Sequence, residues 1–224
     1  MKIKGAIFDM DGTILDSLMF WDILWRQIGE KYMGNAEFRP CDEVNKNVRT
    51  MIYADAMAYF KEYYNIPGET EDFVRFAKDS ITEFYKTTAK PKAGAKEILE
   101  SLKAKDIKLA LASATSLSKI KLALEYHGML KYFDFVLSCA EIGAGKEKPD
   151  IYMKAASLME LSPEDIAVFE DSYVALETAR GAGFQTVGLF EKYNFNQERM
   201  KTSSDIYMRE GETLLDIMDK IENV

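Results

Sequence analysis

An α/β fold built on a doubly wound parallel sheet is what this chain predicts, and three observations predict it. A short apolar run, "IKGAIF" at residues 3–8, opens the chain and runs into acidic residues. From about residue 94 onward, helical and strand patterns alternate regularly. Between these regions lies a long block in which only helical patterns occur. The strand at Ile3 belongs to the sheet, yet the next strand begins only near Ile107. The helical block is therefore expected to be an inserted cap lobe. The expected division is a Rossmann-like core of residues 1–15 and 89–224, with an all-helical cap at 16–88.

Each element has its own signal. "DSLMFWDILWRQIGEKYM" reads as a helix, with Asp16 or Ser17 suited to its N-cap. Trp21 and Trp25 are four residues apart and share a face. Helical patterns continue through "VRTMIYADAMAYFKEYYNI" and "TEDFVRFAKDSITEFYK". Pro91 and Gly94 mark the return linker in "TTAKPKAG". Then come helix "GAKEILESLKAKD" and strand "IKLALAS", helix "SLSKIKLALEYHG" and strand "FDFVLS". Helix "PDIYMKAASLME" precedes strand "DIAVFED", and helix "SYVALETARGAG" precedes strand "QTVGLF". Strands alternating with helices of this length indicate a parallel, doubly wound sheet.

Composition narrows the function. The chain has 224 residues, 47% of them hydrophobic, enough for one substantial core with a smaller lobe. A formal net charge of -8, from 37 acidic and 29 basic residues, argues against nucleic acid or an acidic membrane surface as a partner. The N-terminus meets acidic residues too early for a signal peptide, and no apolar run is long enough to span a bilayer. The surroundings of Cys41 and Cys139 do not read as a disulfide framework, so a reducing cytoplasm is the expected compartment. The lone His127 excludes a multi-histidine metal site and is expected near a helix end.

In open α/β sheets, ligands bind outside the carboxyl ends of the strands. The first strand ends in Asp9, with Asp11 close behind. The second ends in Ser113, Ala114 and Thr115; the loop after the third carries Lys146 and Lys148; the fourth ends in Glu170 and Asp171. Crowded carboxylates repel one another, and a cation relieves that repulsion. Mg²⁺ takes hard oxygen ligands, commonly one or two carboxylates with substrate phosphate and water, and Asp9 and Asp171 can supply them. A lysine and a hydroxyl would neutralise a transferring phosphoryl group. An aspartate can attack phosphorus, and Asp11 is placed to protonate the leaving oxygen and later activate water.

"DMDGT", "SAT", the lysine of "GKEKPD" and "ED", in this order on successive strands, resemble the motifs of the haloacid dehalogenase-like phosphotransferase superfamily. The helical insert directly after "DGT" resembles its C1-capped branch, which holds β-phosphoglucomutases and small-molecule phosphatases. The resemblance implies Asp9 as nucleophile and Asp11 as acid/base. It implies phosphate binding by Gly12, Thr13, Ser113, Ala114 and Lys146, with Lys148 the runner-up for the lysine. Mg²⁺ would be held by Asp9, Asp171, the Asp11 main-chain carbonyl and Glu170 in a supporting or sharing role. It also implies a cap that opens and closes, with hinges near Leu15-Asp16 and Thr88-Pro91.

The expected activity is hydrolysis of a small phosphorylated metabolite, such as a sugar phosphate, by a monomer or weak dimer. The alternative is a hexose-phosphate mutase. Trp21 stands where the mutase resemblance implies a histidine, and Arg39, Lys46 and Arg49 lack its usual surroundings. A phospho-accepting signalling module is more remote, since such modules lack an insert and carry their acceptor on a later strand. Plainer readings stand beside these. Asp9 and Asp11 fit a turn, Ser113–Thr115 and Glu170-Asp171 fit helix caps, and both lysines fit a solvated surface. The stripe Phe20, Trp21, Trp25, Tyr32 fits packing, as do Tyr59, Tyr63 and Tyr64; a tryptophan facing the cleft is the other reading.

Overall fold

The computed structural model describes residues 1–48, 51, 53–194 and 196–223. The chain divides into two compact units: Met1–Ser17 with Ala89–Val224, and Leu18–Thr88. Both Leu15 and Asp16 fall in the first unit because they pair, antiparallel, with Pro91 and Lys90. The strand leaving that unit and the strand re-entering it are thus hydrogen-bonded to each other.

The smaller unit is helical: α1 Phe20–Ile28, α2 Asp42–Val48, α3 Tyr53–Tyr63 and α4 Thr70–Thr87. A turn of π-helix, Gly29–Met33, continues α1. Aromatic rings at helical spacing fill the interior. Trp25 stacks on Phe60 with centroids 4.7 Å apart, Phe60 faces Phe73, and Phe20 meets Phe84 at 5.2 Å. Burying each such ring contributes on the order of 2 kcal/mol, which exceeds any propensity of β-branched or aromatic residues against helix.

Two expectations change here, and a third falls outside the described residues. The N-cap of α1 is Met19, with no side-chain cap bond, rather than Asp16 or Ser17. Ser17 instead gives its hydroxyl to Asp11. Tyr63 is 47% exposed, so it does not serve the interior; its ring meets Tyr59 and Tyr64 beside the exposed Cys41. Arg49, with the part of the expected helix at Thr50 and Ile52, lies outside the described residues.

The larger unit carries a six-stranded parallel sheet: β1 Gly5–Phe8, β2 Lys108–Ser113, β3 Phe135–Ser138, β4 Ile166–Glu170, β5 Gln185–Leu189 and β6 Ile206–Met208. Their spatial order is β3-β2-β1-β4-β5-β6. The helices of seven residues or more are α5 Ala95–Lys103, α6 Leu117–Tyr126, α7 Asp150–Met159, α8 Tyr173–Gly181 and α9 Gln197–Ser203, and a single turn, Cys139–Ile142, follows β3. A separate parallel pair joins Lys2–Ile3 to Glu222–Asn223. The opening run is therefore two strands, broken at Lys4, whose N–H donates to the Asp165 carbonyl.

Register explains which residues face which layer. Ile7 lies beside Val168 and Ala110, and Phe8 beside Phe169 and Leu111. Side chains alternate along each strand. Ile7, Ala110, Ala112 and Val168 accordingly share one core with Ile151, Tyr152, Ala155 and Met159 of α7. The small alanines of β2 leave room for that helix. Phe8 and Phe169, one residue on, stack at 4.2 Å. Among the described residues, no helix is long and apolar enough to cross a membrane.

Candidate active site

The strand order creates one place where neighbouring strands send their chains in opposite directions. β1 leads toward β2, whereas β4, on its other side, leads toward β5. Ligand crevices in such sheets form at this switch point, outside the carboxyl ends. Asp9 continues β1 there, its N–H donating to the Phe169 carbonyl at 3.0 Å. Glu170 ends β4 and Asp171 follows. By alternation, Asp9 keeps the face of Ile7 and Glu170 that of Val168, so both carboxylates turn toward the side of α7.

That side supplies the cation. Lys146 lies in the loop before α7 and bridges the two carboxylates, bonding Asp9 Oδ1 and, at 2.5 Å, Glu170 Oε1. Its side chain is only 12% exposed. Tyr152, on α7, donates its hydroxyl to the same Glu170 oxygen at 3.1 Å. Lys148, the runner-up, is exposed. Carboxylate oxygens of Asp9, Glu170 and Asp171 all lie within 4.8 Å of one another, and all three residues are buried. The set is oxygen-only, which suits a hard divalent cation and disfavours zinc or copper.

Charge in this cluster is unfavourable as it stands. Burial first, and then Glu170, push the Asp171 carboxyl up to about 7, with Lys92, Lys146 and the Thr13 hydroxyl opposing. Burial also raises Asp9 well above the usual carboxylate range, with Lys146 opposing and Glu170, Asp171 and Asp11 adding. Burial alone would lower Lys146, but Asp9 and Glu170 on either side hold its ammonium well above the ordinary lysine value. One lysine against three buried carboxylates leaves an acidic surplus that a bound cation would balance. The residues present therefore fit a divalent metal.

The remaining expected residues fall around this centre. Gly12 has φ +86°, a conformation glycine adopts without strain, and its N–H closes a tight turn onto the Leu15 carbonyl at 2.9 Å. The turn buries Thr13, whose hydroxyl donates to Asp171 Oδ1 at 3.1 Å. Ser113 is buried and its Oγ accepts the Thr115 N–H at 3.1 Å, while Ala114 is exposed. The Asp11 carboxylate is not part of the three-carboxylate group. It accepts from Ser17 Oγ and from Thr115 Oγ1, each at 2.7 Å. The expectation of Asp11 as a metal ligand concerned its main-chain carbonyl, not this carboxylate.

The capping readings resolve against the side chains named. α6 starts from Ser116 and α8 from Ser172, neither with a side-chain cap bond. Sequence reasoning missed Tyr152, Asn194 and the grip of Ser17 and Thr115 on Asp11. Thr115 stood in the motif but read as a cap, and Ser17 was expected at the N-cap of α1. Asn194 carries no motif at all.

A family model for haloacid dehalogenase-like hydrolases matches residues 3–183. The chain belongs to this family. It is an enzyme of that kind, and curated relatives point the same way. A phosphorylated carbohydrates phosphatase of Thermotoga maritima is 24% identical over 221 residues, covering 98% of this chain and all of the relative. The β-phosphoglucomutase of Bacillus subtilis is 27% identical over 193 residues, covering 84% and 83%. Among solved structures, a Thermotoga maritima protein whose proposed identity is a β-phosphoglucomutase superposes with TM-score 0.80 at 24% identity, over 98% of this chain and 99% of that one. At that identity the likeness is one of fold.

Proposed function

We propose that this chain is a Mg²⁺-dependent phosphohydrolase of a small phosphorylated metabolite, a sugar phosphate or similar, acting through an aspartyl phosphate on Asp9. The observation that carries the reading is Lys146 bridging Asp9 and Glu170 inside a buried three-carboxylate cluster at the switch point of the sheet. Asp9 and Asp171 would hold Mg²⁺, with the Asp11 carbonyl and Glu170 completing the protein ligands. When bound, the cation supplies positive charge that lets an anionic nucleophile and an anionic phosphoryl group approach.

The chain's own residues do the rest. The Asp9 carboxylate attacks phosphorus as the bond to the leaving oxygen breaks, and Asp11 gives that oxygen a proton. A water then attacks phosphorus, losing its proton to Asp11, and the bond to Asp9 breaks. Ser17 and Thr115 hold both Asp11 oxygens and so fix where that proton is given and taken. Lys146 neutralises charge on the transferring group. Ser113 accepts from Thr115 N–H, which leaves its hydroxyl hydrogen for a phosphoryl oxygen. The helical unit Leu18–Thr88 acts as the cap that selects the leaving group.

Release of inorganic phosphate from p-nitrophenyl phosphate and a sugar-phosphate panel tests this. Turnover with Mg²⁺, abolished in Asp9→Asn, is expected; no turnover on any substrate, or turnover indifferent to Asp9→Asn, removes the reading. The Bacillus relative favours a second reading, a hexose-phosphate mutase. Against it, Trp21, in the place of the expected histidine, packs its indole on Trp25 at 5.4 Å and on Tyr53 at 6.1 Å, and it has no acid/base group. No interconversion of β-glucose 1-phosphate and glucose 6-phosphate with a bisphosphate primer is therefore expected.

A further inference from the structure

Asp171 is gripped from a loop to which no chemical motif pointed. The Asn194 side-chain nitrogen donates to Asp171 Oδ2 at 2.5 Å and to the main-chain carbonyl of the same residue at 3.0 Å. One amide group thus spans the side chain and backbone of a single aspartate, which restrains rotation about its Cα–Cβ bond. Thr13 donates to the other oxygen, Oδ1. Each carboxylate oxygen has two lone pairs, so these bonds leave room on both for a further partner.

Asn194 is held in its turn. The Gln197 side-chain nitrogen donates to the carbonyls of Asn194, at 3.2 Å, and Glu191, at 2.9 Å. Tyr207 of β6 donates to Gln197 Oε1 at 2.8 Å. Glu191, 3% exposed, is ion-paired with Lys92 beside the re-entering strand. The loop after β5 is closed without the Asn194 side chain, since the Asn194 N–H already bonds the Glu191 carbonyl at 3.0 Å. Closing the loop therefore does not account for the Asn194 amide, which reaches across to Asp171.

We propose that Asn194 is a positioning residue for Asp171, and that the loop after β5, backed by Gln197 and Tyr207, sets the affinity of the acidic cluster for a divalent cation. This rests on the metal-assisted reading of the site. A carboxylate already fixed in its binding rotamer loses less freedom when a cation arrives. Groups standing behind metal ligands in this way commonly change metal affinity by about 10- to 100-fold.

The test titrates Mg²⁺ calorimetrically into metal-free wild type, Asn194→Ala and Tyr207→Phe, and repeats the series by phosphate release. Asn194→Ala is expected to weaken Mg²⁺ binding about 10-fold or more, and to raise the Mg²⁺ concentration for half-maximal rate in step. Its kcat at saturating Mg²⁺ stays within about 2-fold of wild type, the signature of lost binding rather than lost chemistry. Tyr207→Phe, acting two hydrogen bonds further back through Gln197, weakens binding by less, about 2- to 3-fold. Unchanged Mg²⁺ affinity in Asn194→Ala, or a fall in kcat that saturating Mg²⁺ does not restore, overturns the positioning role and leaves the phosphohydrolase reading standing. A wild type that binds no Mg²⁺ overturns both. If Asn194→Ala does not fold, Tyr207→Phe decides, and wild-type Mg²⁺ affinity in that variant overturns the proposal.

Discussion

Lys146 and Lys148 are two residues apart, yet only Lys146 reaches the carboxylates; Lys148 is exposed. Removing Lys146 takes away the cation that balances Asp9 and Glu170 and, under the proposed chemistry, the charge that would meet the phosphoryl group. Lys146→Met is expected to lower kcat by about 10²- to 10³-fold, the usual cost of losing one fixed electrostatic partner of a transition state. Lys148→Met should retain the wild-type rate. Steady-state kinetics on the two variants would contradict the assignment if they lost activity equally. Asp9, Glu170 and Asp171 were legible because each ends or follows an apolar strand. Tyr152 was not, because a tyrosine in an apolar helix reads as packing, and its ring does pack with Phe184 and the core beside its hydroxyl bond. Ser17 read as a cap because nothing in the local sequence shows that Asp11 folds back over it.

Among the elements, strands of four residues or more were legible and the shorter ones were not. β6 is three residues, "IYM", and the helix before it, α9, is seven. Neither is long enough to display a period. They form because β5 has an open edge, and because Thr186 of β5 is anchored by Asp205, through bonds of 2.8 Å from its N–H and 3.0 Å from its hydroxyl. An analogous anchor sits at the other end of the sheet. Asp134 opens β3 and accepts the Leu109 N–H at 2.8 Å and two bonds from Lys103, at 2.8 and 3.0 Å. Partial burial works against its charge, but Lys103 and the Leu109 N–H outweigh it and hold the carboxyl below the usual range.

A carboxyl depressed in the folded state stabilises above its unfolded pKa, and that stabilisation is lost as pH falls through the folded value. Asp134→Asn is therefore expected to be less stable than wild type at pH 7 by about 1 kcal/mol, discounted for the exposure of the Lys103 pair. The gap should narrow as pH drops below about 4, where the unfolded aspartate protonates, and then through the lower folded value. Urea unfolding at pH 7 and pH 3 checks this, and an equal gap at both would contradict it.

At the level of the whole chain, the alternation of helices and strands was readable because each βα repeat declares its own period. The convergence of Asp9, Glu170 and Asp171 was readable too, from the acidic residues at successive strand ends. The order β3-β2-β1-β4-β5-β6 was not, since neighbours in the sheet are distant in sequence. That order makes β1 and β4 neighbours, bringing Asp9 to Glu170 and Asp171 across more than half the chain. The net charge of -8 adds nothing to the capture of an anionic substrate, which puts the burden on the local centre.

That centre is the claim on which the account depends, and a crystal structure with Mg²⁺ and beryllium fluoride, a mimic of a phosphoryl group on aspartate, tests it most directly. The predicted result is the fluoride adduct on Asp9, contacted by Lys146, with Mg²⁺ held between Asp9 and Asp171. An unmodified Asp9 under saturating conditions, or a cation bound away from Asp171, would contradict the account.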